Sequence, residues 1–273
     1  MKLEFIQPRP ALRPYIGKMW VFENDRRLPH DDMKVIVPNG MAKLVIPIHN
    51  KLSGRYKDWH HLSKESSITL IGIADSPAIV DVEYDAPHVN IGIEFSPLGA
   101  YRIFNLRHAE LKNKIYPLDD VFGKEVARIN ERLANTESIR QKIDIIQTYL
   151  VSQLSTTAPD LILDYCLQQI TRSKGLVTVM ELEKKTGYSS RWLYEKFMDK
   201  VGLSPKNFSS VTRFMQFYES SAMNHSDNFF RENIYTYFYD QAHFIKDFKR
   251  FTGMSPSKFI KTDNEFGHIF YKG

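Results

Sequence analysis

The chain has 273 residues, 42% of them hydrophobic and 25% charged, with a formal net charge of +5, a pI near 9.0 and one cysteine. That is chain enough for two domains of ordinary size. One cysteine excludes a disulfide framework, no apolar run approaches the ~18 residues a membrane helix needs, and the charged, proline-broken opening is no signal peptide; we expect a reduced, cytoplasmic protein. The basic bias is mild, 16 Lys and Arg against 13 Asp and Glu from Ala158 onward, so a polyanion would have to be met by one local face.

Residues 1–117 read as mostly β. Lys34–Val37, Ala42–Ile48, Ser67–Ile73, Ile79–Tyr84 and His88–Phe95 are short apolar or alternating runs between Pro, Gly, Asn and Asp breakers. Short strands at that spacing imply a sandwich or barrel. Trp20, Phe22, Tyr56, Trp59 and His61 are the residue types that line a barrel cavity and are the candidate ligand-binding residues, although ordinary core or surface is the simpler reading of each. His60 and His61 with Asp58 hint at a metal, but neighbours in sequence point apart on a strand or helix. His30, Asp31 and Asp32 read as a solvated loop. We expect no metal and no cofactor.

The next stretch, 118–154, turns helical. Asp119 and Asp120 are good caps ahead of Val126, Ile129 and Leu133, and Ile139, Ile143, Ile146 and Leu150 then repeat at 4-3-4 spacing. That seam either packs on its own barrel or meets a second copy in a homodimer. A Ser/Thr-rich run holds the linker, 155–159. Beyond it Asp160–Thr171 predicts a helix with Leu163, Cys166, Leu167 and Ile170 inward, where Cys166 serves as core filler.

A repeat dominates the C-terminal part. Phe197, Gly202, Ser204, Pro205 and Phe208 recur as Phe248, Gly253, Ser255, Pro256 and Phe259, always 51 positions later. A constant offset over unlike residue types means one supersecondary unit used twice. Ser189 and Asp240 are N-cap types, Leu193 with Phe197 and Phe244 with Phe248 give each helix one apolar stripe, and Gly202 and Gly253 stand where a helix ends left-handed. Ser-Pro then opens the next helix. Upstream, Thr178–Lys185 predicts another helix with Val179 and Leu182 inward, and Gly187 makes the sharp turn.

The two stretches, G-x-S-x-x-x-L-x-x-x-F followed by G-L-S-P, and D-Q-A-H-F-I-K-D-F-K-R-F-T-G-M-S-P, resemble the AraC/XylS family of bacterial transcription regulators over roughly residues 160–262. The resemblance implies an all-α DNA-binding domain, 160–273, with helix-turn-helix units at about 178–198 and 229–250, joined by a linking helix at about 205–221. Their second helices would enter successive major grooves. The chain departs from the pattern at Glu183 and Asn233, where the family has a small residue, and at Tyr237, where it has glycine; a tyrosine is costly if that turn needs positive φ. At the other end, P-R-P-A-L-R-P-Y-I-G-K-M-W-V-F, V-P-N-G-M-A-K-L-V-I and G-I-E-F-S-P-L-G-A-Y-R-I-F resemble a sensor-type domain found in some AraC-like regulators, which implies a cupin-like β-barrel over 1–117. The expected fold class is therefore α+β in two domains.

With Leu193 and Phe197 inward, Ser190, Arg191, Tyr194 and Glu195 lie on the open face, positions that match the family's contacting ones. Arg191 can bond guanine O6 and N7, and Glu195 can accept from cytosine N4. The matching face of the second unit is Gln241, Ala242, Ile245 and Lys246. Lys196, Lys206, Lys249 and Arg250 are candidates for phosphate, with a solvated surface as the simpler reading of any exposed lysine. His243 reads as packing or touching phosphate. No Ser-His-Asp, Walker-type or paired-carboxylate arrangement stands out, so we expect no enzyme. The expected function is DNA-binding transcription regulation controlled by a small molecule or other signal at the N-terminal domain, with double-stranded DNA as partner and RNA polymerase as a second if it activates. The alternative is a small-molecule-binding or enzymatic cupin-like protein whose helical domain mediates protein contacts.

Overall fold

In the computed structural model, residues 1–25, 34–56, 59–81, 87–154, 159–222, 234–262 and 264–270 are described. Among them the N-terminal part is two antiparallel sheets. One runs β1 (Lys2–Phe5), β2 (Ile16–Asn24), β9 (His88–Phe95), β4 (Lys43–His49), β7 (Thr69–Ile71), β10 (Ile115–Pro117); the other runs β3 (Val35–Ile36), β8 (Ala78–Asp81), β5 (Leu52–Tyr56), β6 (Trp59–Ser63). β1, β2, β5, β6 and β10 lie outside the expected runs. Gly17 and Lys18 interrupt the apolar pattern of β2, and β5 with β6 is a hairpin of Ser53, Gly54, Arg55, His60 and His61 that has no apolar alternation to read.

Period-two alternation assigns the six-stranded sheet two different neighbours. Met19, Val21, Leu44, Ile46, Ile91, Ile93 and Phe95 share one face and one core with the helices after the sheet. The opposite face carries Lys18, Trp20, Lys43, Val45, Gly92 and Glu94, directly paired across β2, β9 and β4 as Lys18↔Glu94↔Lys43 and Trp20↔Gly92↔Val45. Gly92 is required there: a Cβ would sit 2.1 Å from the Trp20 indole.

Among the described residues, the α-helices that lead up to the repeat are α1 (Gly99–Phe104), α2 (His108–Leu111), α3 (Leu118–Phe122), α4 (Lys124–Ala134), α5 (Ile139–Ser152) and α6 (Leu161–Arg172). Asp119 and Asp120 fall in the first turn of α3 rather than capping α4, which starts after Gly123 at φ 61°. The seam of α5 is taken up within the chain. Ile143, Ile146, Tyr149 and Leu150 bury against the sheet, and Gln147 accepts the Arg9 N–H at 2.7 Å. Cys166 is fully buried in the next core, and burial pushes its thiol up to about 11.

The repeat forms α7 (Val179–Thr186), α8 (Ser190–Lys200), α9 (Pro205–Ala222), a helical turn at 234–237, α10 (Gln241–Thr252), α11 (Pro256–Phe259) and α12 (Glu265–Ile269). Its core of Leu193, Phe197, Phe208, Phe214, Phe217, Phe244, Phe248 and Phe251 also takes in Val35, Val37, Ile73 and Leu98 from the β-rich part, so the β-rich and helical parts share one core. The buried Asn264 side chain completes that seam, donating to the Val35 carbonyl at 2.9 Å and accepting the Val35 N–H at 2.8 Å.

Candidate functional site

The first repeat is started and stopped by side chains. Thr178 Oγ1 accepts the Glu181 N–H at 3.2 Å while Glu181 accepts the Thr178 N–H at 2.8 Å, a capping box that starts α7. Gly187, at φ 76°, ends α7, and Ser189 Oγ accepts the Trp192 N–H at 3.3 Å to start α8. Glu183 has work of its own in this turn: its carboxylate accepts the Ser190 N–H, one of the orphan donors of α8. Leu193 and Phe197 are fully buried, whereas Ser190, Arg191, Tyr194 and Glu195 are exposed, the Arg191 side chain at 89%. Arg191 Nε donates to Glu195 Oε1 at 3.1 Å, an exposed i,i+4 pair weak enough to open when a better partner arrives. Lys196 lies 5.4 Å over the Trp192 ring, which stacks on Tyr188, and Lys206 is exposed at the start of α9.

In the second repeat Asp240 does what Ser189 does in the first, accepting the His243 N–H at 2.7 Å. Phe244 and Phe248 are buried and Gln241, Ala242, Ile245 and Lys246 are exposed. Asn233 and most of the helix expected before this turn lie outside the described residues. Tyr237 does not take positive φ; it packs edge-on to Phe217 at 6.2 Å, so this turn runs without the family's glycine. His243 is a packing residue, 5.6 Å from the Phe238 ring and 3.1 Å from Arg213, whose guanidinium pairs with the buried Asp247 at 3.1 Å and ties α10 to α9.

Both repeats rest on the β-rich part by the same corner. Asp199 and Arg250 are 51 positions apart; Asp199 accepts from Arg107 Nε at 3.3 Å, and Arg250 donates to Asp75 Oδ2 at 2.7 Å. The left-handed stops match as well: Gly202, φ 81°, lies against His108, and Gly253, φ 83°, against Pro77. Burial works to raise Asp75, but hydrogen bonds from Lys112, Asn113 and Arg250 outweigh it and hold the carboxyl below its usual range. His108 is buried with neither ring nitrogen bonded, and burial lowers its pKa to about 4 despite Asp199 nearby. Of the four residues expected at phosphate, Arg250 is thus already engaged, while Lys249 beside it is exposed.

A cavity of about 280 Å³ lies between the sheets and α9. Its floor is the Lys18–Glu94–Lys43 row with Trp20 and Val45; Ile36, Leu52 and Val80 of the smaller sheet wall it; Phe208, Thr212, Met215, Gln216 and Glu219, one stripe of α9, close it. Lys43 pairs with Glu94 at 3.4 Å and donates to Asn39 Oδ1 at 2.8 Å, while Asn39 donates to Glu94 at 2.6 Å. Burial raises the Glu219 carboxyl, opposed by Lys18 and assisted by Glu94. Of the residues expected to bind a ligand, Trp20 lines this cavity, Phe22 packs on Phe270 at 5.5 Å, Tyr56 lines a smaller neighbouring one, and Trp59 and His61 line neither. Lys18, Lys43 and Glu94, which do line it, each leave one charge in an otherwise apolar strand, but only cross-strand pairing brings the three together.

Residues 4–117 match the model of a family described as a domain of unknown function (DUF6597), which ends where the β-rich part gives way to α3. No curated protein matches the chain. Among solved structures it is similar to ToxT from Vibrio cholerae at 11% identity and TM-score 0.47, covering 89% of this chain and 97% of that one. It is also similar to ToxT from Vibrio cholerae with a bound unsaturated fatty acid, at 14% identity and TM-score 0.44 over 89% and 94% of the two chains. The AraC-like transcriptional activator CuxR follows at 14% identity and TM-score 0.24, over 73% of each. Likeness at this level carries no functional weight alone. The residues must carry it.

Proposed function

We propose that the chain is a sequence-specific, double-stranded-DNA-binding transcription regulator of the AraC type. In this reading 1–117 is a cupin-like sensor domain, 118–154 packs on it, 155–159 links, and 160–273 is the DNA-binding domain with two helix-turn-helix units. One observation carries it. Two units 51 residues apart repeat the same cap, buried pair and left-handed stop, and each leaves the outer face of its second helix, α8 or α10, open to solvent. Ser190, Arg191, Tyr194 and Glu195 would read bases in one groove and Gln241, Ala242, Ile245 and Lys246 in the next, while Lys196, Lys206, Lys249 and Arg250 meet phosphate. The docking corner supports the reading, because the β-rich part holds each unit by the far end of its second helix.

A small molecule would act through the cavity under α9, since α9 joins the two units and one stripe of it closes the cavity. Such a ligand shifts the arrangement only by its differential affinity for the two states. An activator would further contact RNA polymerase, and a homodimer would have to use a surface other than the buried α5 seam.

Binding to labelled DNA from upstream of the gene, measured by anisotropy over a salt series, tests the proposal. A DNA reader loses affinity linearly in log–log salt, and Lys249→Ala lowers that slope by about 1. Retention that is absent, or indifferent to salt, would leave a ligand-binding scaffold instead.

A further inference from the structure

The cavity floor states a preference about its occupant. On the row across β2, β9 and β4, Lys43 is satisfied by Glu94 and Asn39, but Lys18 has no ion-pair partner among the described residues. Glu219, reaching in from α9, has none either, though the two interact at longer range. Trp20 also lines the cavity, but its indole nitrogen is fully buried over Gly92, so it offers an occupant its ring and not its N–H. Lys18 and Glu219 therefore face a chamber lined by Leu3, Ile36, Val45, Leu52 and Met215 together with the neutral polar side chains of Asn39, Asn90, Thr212 and Gln216. With Lys18, Lys43, Glu94 and Glu219 the charged groups sum to zero, so an anion would leave Glu219 unbalanced and a cation would leave Lys18 unbalanced.

We propose that this cavity binds a small amphipathic zwitterion, an apolar body with a head carrying both a cationic nitrogen and an anionic oxygen, of the kind found in α-amino acids with bulky side chains. The anionic group meets Lys18, the cationic one meets Glu219, and the body fills the chamber between the sheets, stacked against the Trp20 ring. Because Glu219 belongs to α9, the head group ties the sheet to the helix that joins the two repeats. This rests on the reading of the N-terminal part as a sensor.

Three probes with the same indole body separate the classes: L-tryptophan, which carries both charges, tryptamine, cationic only, and indole-3-propionate, anionic only. Each is titrated against the full chain loaded with the neutral dye N-phenyl-1-naphthylamine, with no DNA present. L-Tryptophan should displace the dye at a concentration at least ~10-fold lower than either relative, the scale of one charge-assisted contact. Glu219→Gln should abolish its advantage over indole-3-propionate, and Lys18→Met its advantage over tryptamine; circular dichroism melts establish that both variants fold. Equal or better displacement by a singly charged probe, no displacement by any, or an advantage that survives both substitutions would overturn the proposal. With DNA absent, such a failure leaves base reading by α8 and α10 untouched, and a failure to bind DNA leaves the displacement result standing.

Discussion

The two repeats use one packing code, yet the β-rich part holds them with opposite charges. Asp199 of the first accepts from Arg107, and Arg250 of the second, at the same position in the repeat, donates to Asp75. The buried positions Phe197 and Phe248, the stops Gly202 and Gly253 and the caps Ser189 and Asp240 do not differ in role. What differs is the company each keeps. The Arg107 side chain is 74% exposed, so its bond to Asp199 is a solvated one, while Asp75 is 10% exposed and gathers Lys112, Asn113 and Arg250. The first unit's polar tie is therefore the more solvated one, and the second has a basic side chain drawn away from any phosphate.

The comparison can be broken most severely in the core. Phe197→Ala and Phe248→Ala should each destabilise by about 3–5 kcal/mol in denaturant titrations, and a large inequality would show that the two cores are not equivalent. Next, Arg191→Ala should weaken specific DNA binding by ~1–3 kcal/mol, and Gln241→Ala by no more, as read by anisotropy. The first unit's contact also has a pH signature. His108 is lowered to about 4, so between its unfolded pKa, 6.5, and that value the unfolded chain binds more protons than the folded one, and stability falls as pH falls through this window. Acidification from neutral to pH 5 should remove up to about 2 kcal/mol, and His108→Leu should abolish that slope. The smallest effect sharpens the contrast: Asp75→Asn frees Arg250 and should raise DNA affinity by a few-fold at most, about 1 kcal/mol or less, because the pair is partly solvated.

The repeat was readable because its constraints are local. A left-handed stop favours glycine, a helix start favours Ser, Thr or Asp, and a buried pair needs i,i+4 spacing; each leaves one letter in a fixed place. The sheets were half readable. β3, β4, β7, β8 and β9 carry apolar runs, but β2 itself holds Lys18, and Lys18 makes sense only once Glu94, 76 residues on, is its cross-strand neighbour. The cavity failed to show for the same reason. Its polar groups come from β2, β4, β9 and α9, and aromatic composition pointed instead to Trp59 and His61, which the β5–β6 hairpin carries elsewhere. Tyr237 taught the reverse lesson, since a departure from the family's pattern costs nothing where φ stays negative and Phe217 offers a ring to pack on.

The claim on which the account depends is that α8 and α10 enter DNA together. Hydroxyl-radical footprinting of the full chain on the DNA flanking its gene addresses it directly. The account predicts two protected patches on one side of the duplex, about one helical turn apart, with Arg191→Ala erasing one and sparing the other. A single patch, no protection, or an unchanged footprint for Arg191→Ala would contradict it.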